Sequence, residues 1–168
     1  AFAAVLGGGA RVLAWSSRVG GFGLAALAGG AARTTGVDGR QAALDIGEAG
    51  AGELGSADRC GQRCGDAFAT LNGLADERFD MVICDPPAFA PARSAVDVGL
   101  RAYEKLARLA APLVEDGGYL VLCSCSHAAD MASFRGACLR GIGRAGRRAQ
   151  LIHSGQAGPD HPLLPQLA

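Results

Sequence analysis

Two short stretches of this sequence bring together groups that could act on a nucleobase. In Cys84-Asp85-Pro86-Pro87-Ala88-Phe89, two prolines fix their own φ and bias the residues before them away from helix, so the chain there is a stiff extended loop. A carboxylate and an aromatic ring held in such a loop can hydrogen-bond to, and stack on, a base displaced from its helix. Asp85 is therefore a candidate catalytic residue, with Pro86, Pro87 and Phe89 as candidate base contacts. The second stretch, Ser124-Cys125-Ser126-His127, offers a thiol, two hydroxyls and an imidazole. Thiolate is the reactive form of cysteine, and a nearby histidine or helix N-terminus favours it. Cys125 is thus a candidate nucleophile and His127 a candidate substrate contact; a small buried residue is the plain alternative for Cys125. Cys123 lies inside the preceding apolar run and reads as core.

Three other stretches suit a nucleotide-like ligand. Val19-Gly20-Gly21-Phe22-Gly23-Leu24 can bring backbone amides close to a ligand at a helix N-terminus, which makes Gly20, Gly21 and Gly23 candidates. Taken alone this turn is equally compatible with a dinucleotide site or with helix-to-strand packing. Asp38, at the end of Val37-Asp38, can accept from the two hydroxyls of a ribose, or cap the helix that follows. In Gly65-Asp66-Ala67-Phe68, Asp66 can accept from an adenine amino group beside Ala67, or again cap a helix. Asp85 closes the same set.

These stretches need a scaffold that delivers them to one place. Apolar runs at 11–15, 33–37, 59–64, 79–84, 119–123 and 148–153 alternate with helix-like segments at 22–29, 40–51, 67–75, 99–114 and 128–139, which is the βαβ pattern. We expect an α/β, Rossmann-like domain spanning 1–168, with an open, mostly parallel sheet of about six strands flanked by helices. Ligands of such sheets bind beyond the carboxyl ends of the strands, where strand order reverses. Each candidate above follows a predicted strand.

Composition agrees and adds limits. With 49% hydrophobic residues in 168, one core is the default, and 26 glycines beside one Trp and two Tyr favour layered Ala/Leu/Val packing. Sixteen basic and sixteen acidic residues cancel, so any attraction to nucleic acid must be local. Arg135, Arg140, Arg144, Arg147 and Arg148 supply one basic run, in which Arg144, Arg147 and Arg148 are candidate phosphate contacts and a solvated helix face is the alternative. The six cysteines sit largely within apolar runs, not in a disulfide framework, and no second pair of ligands completes Cys60 and Cys64 as a metal site. No stretch approaches the ~20 apolar residues of a membrane span, and we expect a cytoplasmic protein.

In this order, the glycine turn, Gly65-Asp66-Ala67-Phe68, Asp85-Pro86-Pro87-Ala88-Phe89, Ser124-Cys125-Ser126-His127 and Pro159-Asp160-His161-Pro162 resemble the bacterial 23S ribosomal RNA cytosine-5 methyltransferase family, within the class I S-adenosylmethionine-dependent enzymes. The resemblance implies S-adenosyl-L-methionine as cofactor, held by Gly20, Gly21, Gly23, Asp38 and Asp66, and large-subunit ribosomal RNA as partner, with Asp85 and Cys125 facing the cytosine. It also implies an acid at the position of Ala14, and a Cys-Tyr-Thr-like stretch where Ser16-Ser17-Arg18 stands; both differences would weaken cofactor binding. A seventh strand and an upstream RNA-binding domain are implied as well, so the chain is expected to be a fragment or a degenerate copy. A methyltransferase acting on an exocyclic nitrogen, a non-catalytic RNA-binding module and a nicotinamide dehydrogenase stay open as alternatives.

Overall fold

Five of the six apolar runs form strands in the computed structural model of the chain, which describes residues 9–16 and 19–155. β1 (Arg11–Trp15), β2 (Arg33–Asp38), β3 (Cys60–Cys64), β4 (Phe79–Cys84) and β5 (Val114–Leu122) are parallel and ordered β3-β2-β1-β4-β5. Near-continuous apolar runs are what a parallel strand covered on both faces requires. In the central β1, Val12, Leu13, Ala14 and Trp15 are each no more than 2% exposed.

The described helices are α1 (Gly21–Ala28), α2 (Gln41–Glu53), α3 (Ala67–Gly73), α4 (Val96–Ala110) and α5 (Met131–Arg144). Alternation along the strands sorts them into two layers. Leu13 and Trp15 pack with Leu71 of α3, with Leu74 just after it, and with Leu106 and Ala110 of α4. Val12 points the other way, to Ala26 of α1, beside Met81 and Ile83. α2 joins the α1 layer, where Gly20 and Gly47 meet; α5 joins the α3–α4 layer through Tyr103, Ala107, Ala137, Cys138 and Ile142. The strand order reverses between β1 and β4.

Two features differ from the sequence pattern. β5 begins five residues earlier than the run at 119–123, at Val114, because a turn is built into it: pairing jumps from Phe79 with Val114 to Met81 with Tyr119, and Gly117 turns the chain at φ +82°. Gly118 permits the jump, since a Cβ there would stand 2.7 Å from the Asp80 carbonyl oxygen. The predicted sixth strand does not form. Residues 148–153 are without strand pairing, and Leu151 and Ile152 are 61% and 64% exposed, with no layer to bury them. The segment ends near Met131 at the start of α5, where Ser154 Oγ lies 4.0 Å from its Sδ. No helix among the described residues is long and apolar enough to cross a membrane.

Candidate active site

The strand registers line the candidates up along one rim. Asp38 pairs with Cys64, Trp15 with Val37 on one side and with Cys84 on the other, and Cys84 with Leu122. Residues that follow these partners leave the carboxyl ends of five adjacent strands in the order Asp66, Asp38, glycine turn, Asp85, Cys125. Two bonds extend the ladder past the strands: Asp85 N donates to Trp15 O at 3.3 Å, and Cys123 N to Cys84 O at 2.9 Å. Asp85 thus leaves the sheet at the point of reversal, between the glycine turn and the cysteine loop.

The two chemically loaded loops are joined. The Cys125 thiol donates to the Pro86 carbonyl at 3.5 Å, and Ala90 N donates to Ser126 Oγ at 2.9 Å. Beneath them, Tyr103 of α4 is 1% exposed and its hydroxyl lies 2.8 Å from both Ser124 Oγ and Ser126 Oγ. Ser126 N completes the relay by donating to Ser124 Oγ at 3.2 Å. One buried phenol therefore holds the residues on either side of Cys125 and, through Ser126, the end of the Asp-Pro-Pro loop. Gly99 lets α4 come this near, because a Cβ there would meet Ala90 Cβ at 2.7 Å and the Phe89 carbonyl at 2.8 Å. Sequence reasoning missed Tyr103, whose place in an amphipathic helix signals only core.

Burial separates the cysteines. Cys84 is fully enclosed and burial pushes its thiol far up. The Cys123 thiol is pushed up to about 11, by burial first and then by the Asp85 carboxylate and by Cys125; burial pushes Cys138 up to about 12. Cys125 is exposed, at the rim. Accessibility thus distinguishes it from Cys123, two residues away, which is half-buried and holds its proton more tightly. His127 and Pro87 are exposed on the same loops, whereas Pro86 is buried.

The glycine turn is shaped by contacts of its own. Gly20 caps α1 in the left-handed region, at φ +82°, and a Cβ there would lie 2.9 Å from Gly47 Cα. A Cβ on Gly21 would meet nothing within 4 Å, and one on Gly23 would make only ordinary contact with Thr34. The cap residue Gly20 has no side chain to bond the first amides of α1, and no side chain among the described residues caps them. Asp38, 6% exposed, accepts from Arg40 N at 3.0 Å and Arg40 Nε at 3.3 Å. The cap of α2 is Arg40, not Asp38. Asp66 does cap α3, accepting from Ala69 N at 2.9 Å. A left-handed Gly20, a Gly21 that faces open space at the helix start and a buried carboxylate on the next strand fit the adenosyl, ribose and amino-acid parts of S-adenosylmethionine. Ala14 is buried and offers no hydrogen bond to order this turn; the Gly20–Gly47 contact fixes it instead.

Other expected contacts are placed elsewhere. Phe89 is half-buried, with its ring 6.1 Å from that of Phe68 and 4.9 Å from that of Tyr103, so it is packed in part against the interior. Arg147 donates to Val114 O at 2.8 Å and pairs with Asp116 at 3.0 Å, which puts it and the exposed Arg148 at the start of β5, the end of the sheet away from Cys125. Arg144 pairs with Glu104 on α4. None of the three arginines is brought to the rim. Ser17, Arg18 and Pro159-Asp160-His161-Pro162 lie outside the described residues, and of Ala67 only its place at the start of α3 is described.

No family model matches the chain. It is 35% identical over 159 residues to "Ribosomal RNA large subunit methyltransferase I" of Vibrio vulnificus (strain CMCP6), which covers 91% of this chain and 40% of the relative. With the protein of the same name from Aeromonas salmonicida (strain A449) it shares 34% over 157 residues, 91% of this chain and 39% of the relative. The chain therefore spans about 40% of the length of the curated relatives it matches. Among solved structures, SMU.776 complexed with SAH superposes with a TM-score of 0.81 at 22% identity, covering 95% of this chain and 42% of that one. The SAM-dependent methyltransferase from Agrobacterium tumefaciens gives 0.69 at 19% identity, covering 84% and 46%. The fold is that of these class I, Rossmann-like methyltransferase structures.

Proposed function

We propose that this chain carries the catalytic machinery of an S-adenosylmethionine-dependent methyltransferase that modifies carbon 5 of a cytosine in large-subunit ribosomal RNA. The observation that carries the reading is the bond between Cys125 and Pro86, which joins a thiol to an Asp-Pro-Pro loop beside the point of strand reversal. Similarity to the large-subunit ribosomal RNA methyltransferases over nine-tenths of the chain supports the substrate class, and with such a substrate the enzyme would work in the cytoplasm.

Gly20, Gly21 and Gly23 would bring backbone amides to the amino-acid part of the cofactor, Asp38 would accept from its ribose hydroxyls, and Asp66 would accept from its adenine. Bound there, S-adenosylmethionine supplies an electrophilic methyl on a sulfonium. The protein's own part is to make carbon 5 nucleophilic. Cys125, as thiolate, would add to carbon 6 of the cytosine; the displaced ring electrons gather at carbon 5, which becomes enamine-like and bonds the methyl carbon as that carbon's bond to sulfur breaks, its electron pair staying with sulfur as a neutral thioether. Loss of the carbon-5 proton then returns electrons to the ring and expels the thiolate. Asp85 holds the base by accepting from its amino group, and Pro87 gives it an apolar, exposed surface. Pro86 has its carbonyl turned to Cys125 and orients the thiol.

RNA carrying 5-fluorocytosine tests this directly, because fluorine cannot leave as a proton does and the adduct persists. A cofactor-dependent covalent complex that disappears in Cys125→Ala is expected. Methyl transfer that survives in Cys125→Ala would remove the thiol mechanism and favour an exocyclic-nitrogen acceptor.

A further inference from the structure

Charge on this chain balances overall but not locally. α4 presents Arg101, Lys105 and Arg108 at spacings of four and three residues, hence on one exposed stripe. α5 adds Arg140 and Arg144, whose side chains stay 55% and 67% exposed, and an open groove of about 460 Å³ is lined by Arg101, Glu104, Lys105, Arg108 and Arg144. A single carboxylate, Glu104, is central to these five cations; it is 12% exposed, and it already holds Arg140 at 3.1 Å and Arg144. Arg101 and Arg108 have no acidic partner among the described residues. Taking five cations and one anion from the sixteen of each sign leaves eleven basic against fifteen acidic residues for the rest of the chain. The patch is thus a positive field on an otherwise negative molecule.

Its placement ties it to the rim. Lys105 Nζ sits 4.5 Å above the ring of Phe68, which stacks on Phe89 of the Asp-Pro-Pro loop. From Arg101 to Arg108 the stripe covers about 10 Å along the helix axis. The two helices are also fixed to one another: a Cβ on Gly141 would lie 2.3 Å from the Glu104 carbonyl, so the groove is a rigid surface.

We propose that the α4–α5 groove is a phosphodiester-binding track for the RNA strand that continues from the base placed against Cys125. This rests on the RNA-substrate reading above and adds a second contact area to it, on the helical face and not at the sheet edge. Lys105 on Phe68 meets the strand as it leaves the rim; Arg101 and Arg108 engage successive phosphates, and Arg140 and Arg144, oriented by Glu104, form the opposite wall.

Fluorescence anisotropy with a labelled single-stranded RNA of about twelve nucleotides, without cofactor and across a KCl series, tests the track in the 168-residue chain. In Arg101→Glu/Arg108→Glu, affinity should fall at least tenfold at low salt, and the slope of log K against log salt should lose about 0.7 for each phosphate contact removed. Arg33→Glu, which reverses a charge at the amino end of the sheet, should leave both unchanged. Equal losses in the double variant and in Arg33→Glu would overturn the proposal, since net charge alone would then be responsible. A polyglutamate peptide that binds as tightly as RNA would also overturn it, in favour of an acidic protein partner. The two readings fail separately. Binding that depends on Arg101 and Arg108 supports the track even where 5-fluorocytosine RNA is not trapped; trapping at unchanged affinity in the double variant refutes the track alone.

Discussion

Removing one oxygen, in Tyr103→Phe, should loosen both reactive loops while the core stays packed. The ring keeps its contacts with Phe89 and Phe134, each at 4.9 Å between centroids, so no cavity opens. What is lost is the hydroxyl's pair of 2.8 Å hydrogen bonds, to Ser124 and Ser126. A net hydrogen bond contributes about 0.5–1.5 kcal/mol. Ser126 retains Ala90 N as a partner and Ser124 is exposed enough to recruit water, so the sum lies near about 1–2 kcal/mol. For a chain of this size that is roughly 2–8 °C in Tm, with an unchanged urea m-value. The functional effect should be larger than the stability effect. Misplacing a reacting group by about 1 Å can slow a reaction on the order of 100-fold, so trapping of 5-fluorocytosine RNA should slow tenfold or more while RNA affinity holds within about a factor of two. Ser126→Ala combined with Tyr103→Phe should be clearly less than additive. A Tm within 1 °C of the parent and an unchanged trapping rate would refute the idea that this phenol fixes the loops.

The two first glycines of the turn should separate cleanly. Gly20→Ala forces a side chain into the left-handed region and against Gly47, and should lose about 1–3 kcal/mol in urea unfolding; Gly21→Ala should leave stability unchanged or raise it by up to about 1 kcal/mol, yet weaken S-adenosylmethionine binding in calorimetry. Asp66→Ser keeps an N-cap but shortens the reach, so Tm should change little while cofactor affinity drops, whereas Asp66→Ala should also cost about 1 kcal/mol. A colorimetric thiol titration of the native protein at pH 8 should register Cys125 and Cys64 first, with Cys84, Cys123 and Cys138 appearing only on unfolding. The folded state keeps the Cys123 proton up to about pH 11, whereas the unfolded thiol releases it near 9.0. The native state thus binds more protons in that window, so stability is fully present below pH 9 and declines as pH rises toward 11. Urea midpoints across that range should fall, and fall less in Cys123→Ala.

How far the sequence reached depended on whether a feature was local. The strands at Arg11–Trp15 and Phe79–Cys84 stand where their apolar runs begin and end, because a buried parallel strand tolerates little else. The rim followed, since each candidate loop comes directly after its strand. Glu115-Asp116-Gly117-Gly118 has the composition of a turn and is one, but it lies inside β5, and only the partner strand reveals this. Residues 148–153 have strand-like composition, yet a strand needs a hydrogen-bonded neighbour as well as a pattern. Phe89 was legible as an aromatic in a functional loop and not as a ring already flanked by Phe68 and Tyr103. The phenol relay joins residues 21 and 23 positions apart, and the α4–α5 charge cluster joins residues 36 and 40 apart; no window along the chain contains them.

The meeting of Gly20 and Gly47 makes two distant positions a single unit. A Cβ at Gly47 would meet the flexible end of Gln62 at 3.2 Å and make only ordinary contact with the Gly20 backbone at 3.5 Å, so alanine fits there, whereas a larger side chain in the middle of α2 would press on the glycine turn from the outside. Such a variant would lose cofactor affinity with every contacting residue intact, and would be mistaken for a lesion in the pocket. Restoring it would require work on the helix behind, because the height of that turn is set by how closely two backbones can approach where neither carries a Cβ.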